Sequence, residues 1–241
     1  MLLVINTGEK GGAGKSVVAG TLASYFEARK WSWKGIDLDN SNKQFATLGE
    51  ERVKGFTLQE RGELIAPEVT RFGDYIGGLM EAKSVDALIL DLGGGQLDLV
   101  LGALEDTGLQ DQIGGGITLV LAYTIVASVQ SLSTLANNLT ILDSIASAHW
   151  LIVRNAWKGP LDVYDGSTKV RPHLRGIGAY EIDIERIRDE AILNEWTRSG
   201  QLLGDFLTLD RGFTLRAKLT SWASRIYEQL DRYEVLAGAK A

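Results

Sequence analysis

The chain has no cysteine and only two histidines among its 241 residues. The first absence excludes disulfides, iron–sulfur ligation and thiolate zinc sites, and the second leaves too few imidazoles for a histidine cage. Magnesium bound through oxygen is the metal to expect. A long apolar run is also missing: the longest stretch, residues 117–129, is interrupted by Tyr123, Thr124 and Ser128 and is too short to span a bilayer. An apolar run begins at the second residue and leaves no charged leader region, so no secretory signal is expected and the expected location is cytoplasmic. Positive charge is scarce, with a formal net charge of −6, which argues against a uniformly basic nucleic-acid binder but leaves room for a local patch. With 45% hydrophobic residues and neither an internal repeat nor a low-complexity linker, the expectation is one domain over residues 1–241.

What is present is a series of short apolar runs at residues 2–6, 34–38, 85–91, 117–123 and 150–154, with a weaker one at 180–184. Helical patterns lie between most of them. That alternation predicts an α/β fold in which a mainly parallel central sheet is covered by helices on both faces, with ligands bound beyond the carboxyl ends of the strands. Residues 47–82 are less regular. Within them, 52–58 are expected as a short edge strand, and Pro67 suits the first turn of a helix running to about residue 83. The function of this segment is not legible. Glycine triplets at 93–95 and 114–116 mark loops, and Leu215, Leu219, Trp222, Ile226 and Leu230 form one apolar helix face.

Directly after the first run comes Lys10-Gly11-Gly12-Ala13-Gly14-Lys15-Ser16. Glycines let consecutive backbone N–H groups turn inward around an anion, Lys15 can reach the β- and γ-phosphates, and the Ser16 hydroxyl can ligate magnesium at a helix start. Residues Gly11, Gly12, Ala13, Gly14, Lys15, Ser16 and Val17 are therefore the expected nucleotide contacts. An ordinary phosphate loop would carry glycine at position 9, where this chain has Glu9. The third run ends in Asp91, the pattern of a strand whose last carboxylate reaches the magnesium shell.

The pattern K-G-G-x-G-K-S resembles the deviant phosphate loop of the ParA/MinD family of ATPases, whose members have the P-loop NTPase fold and many of which lack that first glycine. The resemblance implies several roles. Asp39, second in Asp37-Leu38-Asp39, orients the attacking water and helps organise the magnesium. Asp91 is the Walker B aspartate. Asn155, at the end of the fifth run, reads the base and favours ATP. Lys10 reaches across a two-fold interface to the partner's nucleotide, so that ATP drives dimerisation and its hydrolysis ends it. The catalytic set implied is thus Lys10, Lys15 and Asp39, and the magnesium set Ser16, Asp39 and Asp91. Two positions depart from the family: Asn40 stands where proline is frequent, and Leu92-Gly93-Gly94-Gly95 replaces a proline-containing switch.

Around residues 35–46 the similarity is greatest to proteins of the StbB and TraL type, from plasmid stability and conjugative-transfer operons. That implies a plasmid partition or transfer ATPase working with a DNA-binding adaptor and with non-specific DNA. DNA contact predicts a basic patch, either Lys158, Lys169, Arg171 and Arg175 or Arg211, Arg216, Lys218 and Arg225. A MinD-like regulator that cycles on a membrane through its C-terminal helix is the alternative, disfavoured by Glu228, Asp231 and Glu234 on that segment. A nucleotide-binding scaffold with very weak hydrolysis is a third reading.

Overall fold

Alternation within the first strand sets the layers of the molecule. Leu2 and Val4 enter one buried apolar cluster, while Leu3 and Ile5 enter another. The same two-residue period separates Ala87 and Ile89 from Leu88 and Leu90, and Val120 and Ala122 from Leu119, Leu121 and Tyr123. The sheet is buried on both faces, which is why its strands read as continuous apolar runs.

The computed structural model describes residues 1–238 apart from 10, 11, 144, 146, 188, 189, 210 and 211, and apart from the side chains of 141–143 and 190. In chain order the elements are β1 (Leu2–Gly8), α1 (Lys15–Ala28), β2 (Trp33–Asp37), β3 (Val53–Gly55), β4 (Gln59–Glu60), β5 (Glu63–Leu64), α2 (Ala66–Glu81), β6 (Ala87–Asp91), α3 (Leu97–Asp106), β7 (Thr118–Ile125), α4 (Val129–Asp143), β8 (Ala148–Asn155), α5 (Asp162–Asp165), α6 (Val170–Gly176), β9 (Tyr180–Ile184), α7 (Glu190–Arg198), α8 (Leu203–Thr208), α9 (Phe213–Asp231) and α10 (Glu234–Gly238).

Seven strands form one sheet in the order β3-β2-β6-β1-β7-β8-β9, and every pairing in it is parallel. One face is covered by α1 and the C-terminal helices through Val18, Leu22, Phe26, Trp196, Phe206 and Trp222. The other is covered by α2, α3, α4 and α6 through Phe72, Ile76, Val100, Leu135 and Leu174. The fold class predicted from the apolar runs is the one observed. β1 lies between β6 and β7, so the loops after β1, β2 and β6 emerge together at the carboxyl edge, where doubly wound sheets place ligands.

The segment at 47–82 departs from expectation in one respect. The edge strand is shorter than residues 52–58, being only Val53–Gly55. After Phe56 N donates to Asp37 O at 3.2 Å, the chain leaves the sheet to bury Phe56 and Leu58 beside α2, with the Phe56 and Phe72 rings 5.8 Å apart. It then turns back as the β4–β5 hairpin before Pro67 enters the first turn of α2. At the other end, α9 buries Leu219, Trp222, Ile226 and Leu230 against the sheet. Arg29, the residue that follows α1, donates from Nε to Asp231 Oδ1 at 2.8 Å and fastens the end of α9.

Candidate functional site

The turn after β1 is shaped by Gly12 and Gly14, whose φ angles of 69° and 82° lie in the left-handed region open to glycine at no steric cost. Space demands glycine as well, because a Cβ on Gly14 would lie 2.6 Å from Asn155 Nδ2. α1 starts at Lys15, so the unpaired N–H groups of its first turn face the same concavity as the loop. Lys10 and Gly11 lie outside the described residues, and so does the expected reach of Lys10.

Lys15 is buried, and its Nζ donates to Glu9 O at 2.9 Å across the turn. Burial lowers the pKa of this ammonium, while the charges of Asp91, Asp39 and Glu9 oppose the shift. Glu9 is buried too, and its carboxylate accepts from Ser128 Oγ at 3.1 Å, tying the start of the loop to the β7–α4 connection. The residue that breaks the ordinary motif therefore has a structural task.

Behind this loop Asn6 Nδ2 donates to Lys15 O at 2.8 Å and to Asp91 Oδ1 at 2.7 Å. Asp91 is 1% exposed. Desolvation and the charge of Asp37 push its pKa up to about 7, against the opposing effects of Ser16, Asn6 and Lys15. Asp37 is equally buried and accepts from Asp39 N at 3.0 Å and Ala46 N at 2.8 Å; burial raises its pKa as well. Asp39 Oδ1 accepts from Ser41 N at 2.9 Å, Ser41 Oγ at 2.6 Å and Asn42 N at 3.1 Å, which curls the loop after β2 around its own carboxylate. After β6, Gly93 N donates to Gln96 Oε1 at 2.9 Å.

These three loops and the hairpin tip enclose a cleft of about 630 Å³. Gly12, Ala13, Gly14, Lys15, Ser16, Val17 and Asp39 line it, as do Gly93–Gln96, Gln59, Arg61 and Gly62. The structure thus brings together the described phosphate-loop residues and the aspartate expected to face them, with Asp91 buried beside Ser16 and Lys15. Asn155 is not in the lining. Its Nδ2 donates to Ala13 O at 2.9 Å and its Oδ1 accepts from Trp157 N at 3.1 Å, so both ends of the carboxamide serve the backbone. In this conformation Asn155 clamps the phosphate loop, with one N–H and one oxygen lone pair of its carboxamide not used by these two bonds.

The donors fit a nucleotide with magnesium. A glycine-shaped loop at a helix N-terminus suits phosphate, and the hydroxyl of Ser16 with the carboxylates of Asp39 and Asp91 forms an oxygen-only set suited to a hard cation. Among the described residues no group of three or more His, Cys, Asp or Glu side chains forms a metal cage.

Asn6, Asp37, Gln96 and the β4–β5 hairpin are site elements that motif reading missed. Asn6 carried one signal, a polar residue closing an apolar strand run. The expected basic patches are corrected in part. Arg171 is neutralised by Asp165 at 2.9 Å and Glu181 at 3.1 Å. The Lys158 Nζ stands beside the phosphate loop, 3.6 Å from where a Gly12 Cβ would be. Arg225 pairs with Glu185 at 3.0 Å, and Arg211 lies outside the described residues.

A sequence comparison with curated proteins gives no match. Among solved structures, MinD of Pyrococcus horikoshii complexed with Mg-ADP superimposes with a TM-score of 0.59 at 15% identity, covering 100% of this chain and 98% of that one. MinD of Aquifex aeolicus gives 0.55 at 18% identity over 94% and 97% of the two chains. A nucleotide-binding protein of Archaeoglobus fulgidus in complex with ADP gives 0.52 at 16% identity over 88% and 92%. At such identities the likeness concerns the fold. The profile of the CobQ/CobB/MinD/ParA nucleotide-binding domain matches residues 4–212, most of the sequence, and the chain belongs to that family.

Proposed function

We propose that the protein is a magnesium-dependent ATPase acting as a molecular switch, which dimerises with ATP bound and separates after hydrolysis. The observation that carries this reading is the convergence of the phosphate loop, the Asp39 loop and the Gly93–Gln96 loop on one cleft, with Lys15 held among Asp91, Asp39 and Glu9. Backbone N–H groups of the loop and the Lys15 ammonium hold the phosphates, and Ser16 and Asp39, supported by the buried Asp91, hold magnesium. Magnesium, when bound, spreads the charge that develops on the phosphate oxygens. Asp39 accepts a hydrogen bond from the attacking water and aligns it with the terminal phosphorus, so positioning does most of the catalytic work. Lys10 in trans, implied by the family resemblance, completes the charge stabilisation within the dimer.

The resemblance to proteins of plasmid stability and transfer operons supports a cytoplasmic role in DNA partition or conjugation with a DNA-binding adaptor. The membrane-cycling alternative has less support, since the apolar face of α9 packs on the sheet. Sedimentation with Mg-ATP, Mg-ADP or no nucleotide, each with and without DNA or anionic liposomes, tests the reading. A dimer with Mg-ATP alone that co-sediments with DNA or its adaptor is the expected result. A species of unchanged size under all conditions would overturn the switch.

A further inference from the structure

The β4–β5 hairpin has no place in the motif set, yet its tip reaches the phosphate end of the cleft. We propose that Arg61 contacts the terminal phosphate of ATP and makes the site discriminate triphosphate from diphosphate; this rests on the reading of the cleft as an ATP site.

The placement is specific. Arg61 and Gly62 line the same cleft as Lys15, Ser16, Asp39 and Gly93–Gly95, the groups that surround a terminal phosphate, whereas Asn155 does not. The turn holds the arginine out deliberately. Gln59 pairs with Leu64 and Glu60 with Glu63, leaving Arg61 and Gly62 as a two-residue turn with φ angles of 53° and 89°. Such a turn needs two left-handed residues, and glycine, asparagine or aspartate ordinarily supply them. Arginine at the first position accepts the steric cost of a left-handed backbone.

That arginine is exposed, and among the described residues its guanidinium has neither a hydrogen bond nor an ion pair, although Glu60 and Glu63 flank it in sequence. The cleft needs such a charge. Lys15 is buried among Asp91, Asp39 and Glu9, and the phosphates of ATP add further negative charge. A planar guanidinium can engage two phosphate oxygens through a rigid pair of parallel N–H bonds, a fixed geometry that an ammonium lacks.

The hairpin is also coupled to the water-positioning loop. Thr57 Oγ1 donates to Asn40 Oδ1 at 3.0 Å, Phe56 N donates to Asp37 O at 3.2 Å, and Ile65 N closes the hairpin base on Leu58 O at 2.9 Å. Phe56 and Leu58 are buried, so the base is fixed while the tip stays in solvent. The hairpin that carries Arg61 is therefore anchored on the segment that carries Asp39.

Calorimetric titration of wild type, Arg61→Ala, Arg61→Lys and Lys15→Ala with Mg-ADP and with a magnesium-bound non-hydrolysable ATP analogue tests this. Arg61→Ala should bind Mg-ADP within about twofold of wild type yet bind the triphosphate analogue about 10-fold or more weakly, the loss of one charge-assisted contact. Arg61→Lys should fall between the two. Equal affinity of Arg61→Ala and wild type for the analogue overturns the proposal, as does an equal loss for both nucleotides, which would mark the hairpin as structural support. Wild type that binds neither nucleotide would overturn the ATP reading itself, and the role of Arg61 with it. Lys15→Ala should lose both nucleotides, separating failure of the site from failure of the discriminator.

Discussion

Asn155 Nδ2 at the end of β8 donates to Ala13 O at 2.9 Å, closing 142 residues of sequence into one contact at the phosphate loop. This bond makes the loop's shape depend on the far half of the sheet. Asn155→Ala removes it and opens space above Gly14. The expected outcome is a loss of roughly 5- to 20-fold in nucleotide affinity, comparable to one buried hydrogen bond, and equal for ATP and GTP. Competition titration with both nucleotides checks it, and a loss confined to ATP would return Asn155 to base reading.

Lys15→Ala should abolish measurable Mg-ATP binding while leaving the fold intact. The side chain is the only described cation buried in the phosphate loop, and its replacement removes the charge without touching the sheet. Equilibrium dialysis reads the binding, and circular dichroism confirms the fold.

Asp39→Asn keeps an oxygen that can accept from Ser41 and Asn42, so the loop after β2 retains its curl. It loses the negative charge that holds a water and magnesium. The variant should bind ATP but hydrolyse it about 100-fold more slowly, and its ATP-bound dimer should persist. Phosphate release measured beside sedimentation separates the two effects.

Asp231 and Arg29 supply an acid-dependent contribution to stability. The hydrogen bond from Arg29 holds the Asp231 pKa below its ordinary value. A carboxylate whose pKa is depressed in the folded state stabilises above its unfolded pKa of about 3.9, and the contribution is lost as pH falls through the lower folded value. The pair is more than a third exposed, so solvent screening limits its worth to about 1 kcal/mol or less. Denaturant midpoints of wild type and Asp231→Asn should therefore differ at pH 6 and converge as pH falls below the ordinary carboxylate range.

The strands that build the sheet were legible because burial on both faces turns each into an apolar run; Lys15 and Ser16 stood out as candidates through the glycine-rich motif, Asp91 as the carboxylate ending such a run, and Asp39 through the family resemblance. The β4–β5 hairpin was not. It is two residues per strand, largely exposed, carries Gln59, Glu60 and Glu63, and turns on Arg61-Gly62 rather than an asparagine–glycine pair, so neither hydrophobic period nor turn composition marks it. The clamp by Asn155 and the bridge by Asn6 were hidden for a different reason. Both are contacts between residues distant in sequence, and only the order of strands reveals them.

That order has a temporal consequence during synthesis. β1 is made first, but its partners arrive late: Leu2 pairs with Ala87 on one side and with Thr118 on the other. β1 must wait as an unpaired, strongly apolar segment until Ala87 is made, and with one edge open until Thr118, the kind of distant pairing that slows folding. The strand that carries the phosphate loop has neighbours on both sides only once β7 has left the ribosome, and the loop gains its clamp only after β8. Nucleotide capture is thus a late event in the life of the nascent chain, and once it occurs the ligand draws the newly assembled sheet toward its native arrangement.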